Sequence, residues 1–122
     1  MAFAGDVVVR ELADADGSRW RLEEPLSYAG RDDLFVVPAG FTTDFASVPR
    51  PFWDLEPPVG DVAKAAVVHD YLYVTKGLGG RYTRAQADGI FRKAMADLGV
   101  PLWKRTLLWA AVRIGGAGAW GS

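Results

Sequence analysis

The chain has 122 residues, half of them apolar, and its 15 acidic and 14 basic residues give a formal net charge of −1. That length suits one domain, residues 1–122, and the near-neutral charge argues against a nucleic-acid partner, which usually needs a basic excess on one face. Because there is no cysteine, disulfide bonds and thiolate metal sites are excluded, and folding in the cytoplasm is expected.

The first part of the chain, about residues 6–40, predicts a small antiparallel β meander. Its runs are either β-branched or alternate apolar with charged residues, as half-buried strands do. The predicted strands are DVVVR at 6–10, WRLE at 20–23 and LFVV at 34–37. Turn-forming sequences separate them, and Pro38-Ala39-Gly40 ends the third.

A long loop is predicted next, over residues 41–60. Four prolines in this segment deny it regular backbone hydrogen bonding: Pro49, Pro51, Pro57 and Pro58. A long ordered loop in a compact domain is more often functional than idle.

Three helices are predicted in the second half, at about 62–75, 83–98 and 101–114. Asp61 and Thr83 are suited to cap the first two, and Pro101 to begin the third. Glycines at 77, 79 and 80 end the first helix. The expected fold class is therefore α+β, and no stretch approaches the ~18 or more apolar residues of a transmembrane segment.

Two charged or polar residues occupy positions that the helical pattern reserves for apolar side chains. His69, the only histidine of the chain, shares a face with Ala65, Ala66 and Tyr73, and Asp88 shares one with Phe91, Met95 and Leu98. Burying either group without a partner costs roughly 2–7 kcal/mol or more. Two antiparallel helices joined by a short glycine loop would let His69 and Asp88 satisfy each other.

Such a pair has two interpretations. A buried His–Asp pair is often purely structural. An imidazole oriented by a carboxylate is also a general base, because the carboxylate fixes the tautomer and stabilises the imidazolium. Asp70, next to His69, is then available to a hard cation such as Ca²⁺, with Asp44 of the long loop as a second oxygen ligand. The alternative for Asp44 is an Asx-turn or a helix cap.

Two strings of the sequence resemble a phage and prophage family of unknown function, family 1353. They are residues 37–50 (VPAGFTTDFASVPR), which include Thr43 and Arg50, and residues 65–73 (AAVVHDYLY). The resemblance extends from Val37 to Trp120. It implies a viral origin, synthesis in the host cytoplasm and association with the virion, but no activity.

A more distant resemblance is to the phospholipase A2 superfamily. Residues 69–73 (HDYLY) are similar to its H-D-x-C-Y helix, with Leu72 in place of cysteine, and residues 87–95 (ADGIFRKAM) are similar to its second helix. The resemblance implies that His69 activates water and that Asp88 orients it. It also implies that Asp70, Asp44 and the Phe45 carbonyl hold Ca²⁺, with Tyr73, Thr43 and Arg50 in supporting positions.

Three functions remain open on this sequence. The first is a phage-encoded, Ca²⁺-dependent lipid esterase acting on the host membrane at entry or lysis. The second is a non-enzymatic tail or head protein that keeps the fold and contacts other phage structural proteins. The third is a hydrolase that uses the same residues on another substrate, such as cell-wall material. Oligomeric state is not predicted.

Overall fold

The computed structural model describes residues 3–4, 9–11, 20–30, 34–43, 63–116 and 120. Within them, short strands occupy the first part of the chain and helices the second. The α+β class is therefore confirmed.

Six short strands form two antiparallel sheets. The strands are β1 (Phe3–Ala4), β2 (Val9–Glu11), β3 (Trp20–Leu22), β4 (Leu26–Ala29), β5 (Leu34–Val37) and β6 (Thr42–Thr43). One sheet has the order β1-β4-β5 and the other has the order β2-β3-β6. In the first, Leu26 lies opposite Val37 and Tyr28 opposite Phe35, so all four side chains face the core.

This β region is more elaborate than the predicted meander. The predicted strands at 20–23 and 34–37 are present, but they lie in different sheets, because β5 pairs with the unpredicted strand β4. Residues 42–43, assigned to the long loop by the sequence, form β6 and pair with β3. Backbone bonds between Leu22 and residues 40 and 41 extend this contact. The rest of that loop, residues 44–60, lies outside the described residues.

Three long helices lie close to their predicted positions. They are α1 (Ala63–Val74), α3 (Arg84–Asp97) and α4 (Leu102–Gly115), with the single turn α2 (Lys76–Gly80) between the first two. Thr83 caps α3 as predicted, in a capping box with Gln86. Pro101 lies just before α4 rather than inside it, and the predicted cap Asp61 is outside the described residues.

The turn α2 has left-handed backbone geometry throughout. All five of its residues have positive φ, including the non-glycine residues Lys76 and Leu78. Thr75 caps the start of this turn, because its side-chain oxygen accepts a hydrogen bond from the Leu78 N–H, 3.1 Å away. At Gly77, with φ of 72°, an added Cβ would lie 1.9 Å from the Tyr82 carbonyl oxygen. Glycine is the residue that fits at this position without strain. Its left-handed backbone lets the chain reverse direction between α1 and α3 within a few residues.

Helix α1 is the central element of the fold. It packs against α3 on one side and against β5 and β6 on the other, while α3 also packs against α4. Residues 65–70 of α1 are all buried, which is typical of a helix that is apolar on nearly every face. Among the residues that the structure describes, none of the helices is both long and apolar enough to span a bilayer.

Candidate functional site

His69 on α1 and Asp88 on α3 are in direct contact. His69 Nε2 lies 2.7 Å from Asp88 Oδ1, and both side chains are 0% exposed. The two helices pack against each other along the faces that carry these residues. The contact expected from the helical pattern is therefore present, and each residue supplies the polar partner that burial of the other requires.

The Asp88 carboxylate receives hydrogen bonds on both of its oxygens. Oδ1 accepts from His69 and also from the Tyr73 hydroxyl, at 2.5 Å. Oδ2 accepts from Arg113 Nη1, at 2.8 Å. Three elements thus converge on one carboxylate: α1 through His69 and Tyr73, α3 through Asp88 itself, and α4 through Arg113.

Arg84, in the first turn of α3, ties the end of α4 to the same cluster. Its Nη2 donates to the carbonyl oxygens of Val112 and Arg113, at 2.8 and 2.6 Å. Its Nε donates to the Tyr73 hydroxyl oxygen at 3.3 Å. Arg84 therefore binds two carbonyl oxygens in the last turn of α4, of which that of Val112 also accepts from the Gly116 N–H at 2.8 Å.

Aromatic rings enclose the imidazole. The His69 ring centroid lies 4.3 Å from that of Tyr73 and 4.6 Å from that of Phe91. Tyr73 in turn contacts Trp120 edge-on, with centroids 5.1 Å apart. These contacts fix the ring plane of His69 and keep bulk water away from the His69–Asp88 bond.

The surroundings favour different charge states for His69 and Asp88. Burial would raise the pKa of Asp88, but the hydrogen bonds from His69, Tyr73 and Arg113 outweigh it and hold that pKa below its ordinary value. Burial lowers the pKa of His69, although Asp88 opposes the shift. Since the Arg113 guanidinium already balances the charge of the carboxylate, a positive charge on the buried His69 ring is disfavoured. We therefore infer a neutral imidazole beside an ionised Asp88 at neutral pH.

This arrangement selects one tautomer of His69. An ionised carboxylate can only accept, so Nε2 carries the hydrogen that is donated to Asp88. Nδ1 is then the nitrogen with a lone pair, and it is the atom that can accept a proton. Burial and the bond to Asp88 raise the pKa of Tyr73, so its hydroxyl stays protonated and remains a donor.

Acid is expected to destabilise the fold through His69. Its pKa is lower in the folded chain than the ordinary 6.5, so below about pH 6.5 the unfolded state binds the extra proton and the free energy of unfolding falls as pH falls. One proton gives a slope of at most about 1.4 kcal/mol per pH unit. Asp88, whose folded pKa is also lowered, adds to the loss below about its ordinary 3.8.

Urea unfolding measured between pH 7 and pH 5 checks this expectation. The chain has one histidine, so a His69→Gln variant should lose most of the slope in this window. An equal slope in the wild type and the variant would contradict the assignment.

The predicted calcium ligands are only partly described. Asp70 lies on α1 beside His69 and is 5% exposed. Asp44, Phe45 and Arg50 are outside the described residues, and of Thr43 the structure describes its backbone in β6. Among described residues, no group of three or more His, Asp or Glu side chains is placed to hold a metal ion. Calcium binding therefore stays a prediction.

Two residues of the cluster were missed in the sequence: Arg84 and Arg113. The signal for them was indirect, since a buried Asp88 implies a cationic partner. Helix α4 carries three basic residues, Lys104, Arg105 and Arg113, and no rule of sequence spacing selects among them. The tertiary structure selects Arg113, because α4 packs against α3 with Arg113 beside Asp88.

Comparison with known proteins places the chain in a family. Residues 20–112 match the family described as "Protein of unknown function (DUF1353)". The chain belongs to this family. The match confirms the family 1353 resemblance and includes α1, α3 and most of α4, so the DUF1353 region contains His69, Asp88 and Arg84, and it ends at the residue before Arg113.

A relative of this DUF1353 chain is an uncharacterized protein, y4jT, of Sinorhizobium fredii. It is 37% identical over 82 residues, which is 65% of this chain and 23% of the relative. The chain thus spans less than a quarter of that relative's length. No solved structure matches the chain.

Proposed function

We propose that this DUF1353 chain is a hydrolase in which His69 is the general base and Asp88 orients it. The observation that carries the proposal is the 2.7 Å contact between His69 Nε2 and the fully buried Asp88 carboxylate. A carboxylate held by donors on both oxygens stays ionised, and it stabilises the imidazolium that forms when Nδ1 accepts a proton. This is the arrangement that activates water for attack on an acyl carbon.

The proposed substrate is the ester bond of a lipid. The support is the resemblance of residues 69–73 and 87–95 to the phospholipase A2 helices, together with the Tyr73 hydroxyl bound to the same acid. In the proposed step, His69 Nδ1 takes a proton from water while the water oxygen bonds to the ester carbonyl carbon. Cleavage of the ester C–O bond then releases the alcohol, which receives the proton from His69.

A phage-encoded enzyme of this kind, made in the host cytoplasm and acting at entry or lysis, would require Ca²⁺. Asp70 offers a carboxylate, an oxygen ligand of the type that Ca²⁺ prefers, and Asp44 and the Phe45 carbonyl are the other proposed ligands. Bound there, Ca²⁺ would stabilise negative charge on the ester oxygen.

A second function, a non-enzymatic tail or head component, is favoured by two observations. The His69 ring is fully buried, as expected for a residue with a purely structural role in holding α1, α3 and α4 together. Helix α4 also leaves large apolar side chains exposed, with Trp103 at 63% and Ile114 at 85%. An exposed apolar patch of this kind is typical of a protein contact.

The first experiment is a hydrolysis assay on mixed vesicles of phosphatidylcholine and phosphatidylglycerol, with fatty-acid release as the readout. Replacing His69 with alanine is expected to lower the rate by about 10²–10⁴-fold, the usual contribution of a general base, while the protein stays folded. Near-ultraviolet circular dichroism, which reports on the five tryptophans, checks the fold. Lys93→Gln, an exposed change on the helix that carries Asp88, is the control and should retain the wild-type rate.

Two results would instead support a purely structural role for His69 and Asp88. One is a wild-type chain without activity on any ester, and the other is a His69→Ala variant that unfolds.

Calcium binding is tested separately by isothermal titration calorimetry. We expect saturable binding to the wild-type chain and loss of binding in Asp70→Asn. Asp97→Asn is the matched control, because Asp97 is an acid on α3 that pairs with Lys93 and Tyr28. No binding to the wild type at millimolar Ca²⁺, or unchanged binding in Asp70→Asn, would contradict the assignment of Asp70.

A further inference from the structure

Arg113 reaches the oxygen of Asp88 that faces away from His69. Its Nη1 lies 2.8 Å from Asp88 Oδ2, and the side chain is 34% exposed while Asp88 is fully buried. The guanidinium extends from the last turn of α4 and is partly in contact with solvent where it meets the buried carboxylate. Oδ1 is left to His69 and Tyr73, so the three donors divide the carboxylate between them.

The position of Arg113 is itself fixed. Arg84 donates to the carbonyl oxygens of Val112 and Arg113 and so anchors the backbone from which the Arg113 side chain extends. The same Arg84 contacts the Tyr73 hydroxyl. A rigid loop of contacts therefore runs from Tyr73 through Arg84 to Arg113 and through Asp88 back to Tyr73.

Without Arg113, the carboxylate would have donors on one oxygen alone among the described contacts. It could then turn about its Cβ–Cγ bond, because terminal carboxyl torsions of Asp have broad minima. Such a rotation would lengthen or tilt the bond to His69 Nε2, and hydrogen bonds weaken steeply away from linear geometry.

We propose that Arg113 is a positioning residue that holds the Asp88 carboxylate in the orientation in which it bonds to His69. Arg113 acts through Asp88 and contacts neither water nor ester in the proposed reaction. The role in catalysis rests on the proposed function. The effect on the His69–Asp88 bond does not, and it can be measured without any substrate.

The experiment is proton NMR of the imidazole N–H at one neutral pH. Because the chain has a single histidine, the hydrogen-bonded Nε2–H gives one assignable, slowly exchanging downfield signal. We expect the signal in the wild type, its loss or its exchange at least tenfold faster in Arg113→Gln, and its recovery in Arg113→Lys, which restores a cationic donor. Arg92→Gln is the matched control, since Arg92 is an exposed arginine of α3 that stacks on Trp109, and it should leave the signal unchanged.

A merely structural Arg113 gives a different pattern. The Arg113→Gln protein would then unfold more easily, while its folded form kept the wild-type N–H signal, and this result overturns the proposal. If Arg113→Gln does not fold, Arg113→Ala and Arg113→Met are measured in its place, and an unchanged signal in either folded variant has the same meaning. An inactive wild-type chain whose signal still depends on Arg113 would refute the hydrolase and leave the positioning role standing.

Discussion

Replacing Asp88 with alanine is expected to lower the free energy of unfolding by about 3–5 kcal/mol, the range for removing one partner of a buried ion pair. The change leaves the His69 Nε2–H and the Tyr73 hydroxyl buried without the oxygen to which both donate. It also leaves Arg113 without its acceptor, although that side chain is one-third exposed and can turn toward water. Urea unfolding followed by tryptophan fluorescence measures the loss.

Asp97→Ala provides the comparison for Asp88→Ala. Asp97 lies on the same helix and accepts from Tyr28 and Lys93, but its side chain is 25% exposed. Its loss should be about 1–2 kcal/mol, as for a partly exposed hydrogen bond and a surface ion pair. Equal losses in the two variants would mean that the site around Asp88 does not hold α1, α3 and α4 together.

Gly77→Ala is expected to destabilise the fold by about 2–5 kcal/mol. An alanine in left-handed geometry costs about 1–2 kcal/mol, and the added Cβ would lie 1.9 Å from the Tyr82 carbonyl oxygen, which adds about 1–3 kcal/mol of overpacking. Tyr82 cannot move aside freely, because its N–H donates to the Gly77 carbonyl and its ring packs on Phe35.

A neighbouring glycine separates the two contributions. Gly79 also has positive φ, 77°, but an added Cβ would have no atom within 4 Å. Gly79→Ala should therefore show the conformational contribution by itself, about 1–2 kcal/mol. Equal effects of the two substitutions, measured by urea unfolding, would show that the contact with Tyr82 adds nothing.

Gly77 also bears on the site. The left-handed turn α2 connects α1 to α3 and contacts both helices, so a distortion at Gly77 is expected to shift His69 relative to Asp88. A Gly77→Ala variant that remains folded is therefore expected to weaken the His69–Asp88 bond.

Local sequence patterns determined the helical half well. The capping residue Thr83, the glycines after Val74 and Pro101 mark boundaries that the structure reproduces within about two residues, because caps and glycines act on the backbone within one turn. The contact between His69 and Asp88 was also predicted, because both are polar residues on apolar helix faces. A buried polar group needs a hydrogen-bond partner, and these faces contain few other polar residues.

The pairing of strands into two sheets could not be predicted from local sequence patterns. Residues 26–29 do alternate between buried and more exposed positions, but the run is four residues long and follows Glu23-Glu24-Pro25, so it gave no clear strand signal. The division of the strands into two sheets depends on which edges meet, and that depends on contacts between residues far apart in the chain.

What the sequence by itself determined, then, is that a β region precedes three long helices, the family, and the two residues that burial forces together. Only the tertiary structure decided that Arg113, rather than Lys104 or Arg105, pairs with Asp88, and that Arg84 anchors the end of α4. The physical reason is that helix periodicity fixes the face on which a side chain lies. The packing of whole helices decides which faces meet.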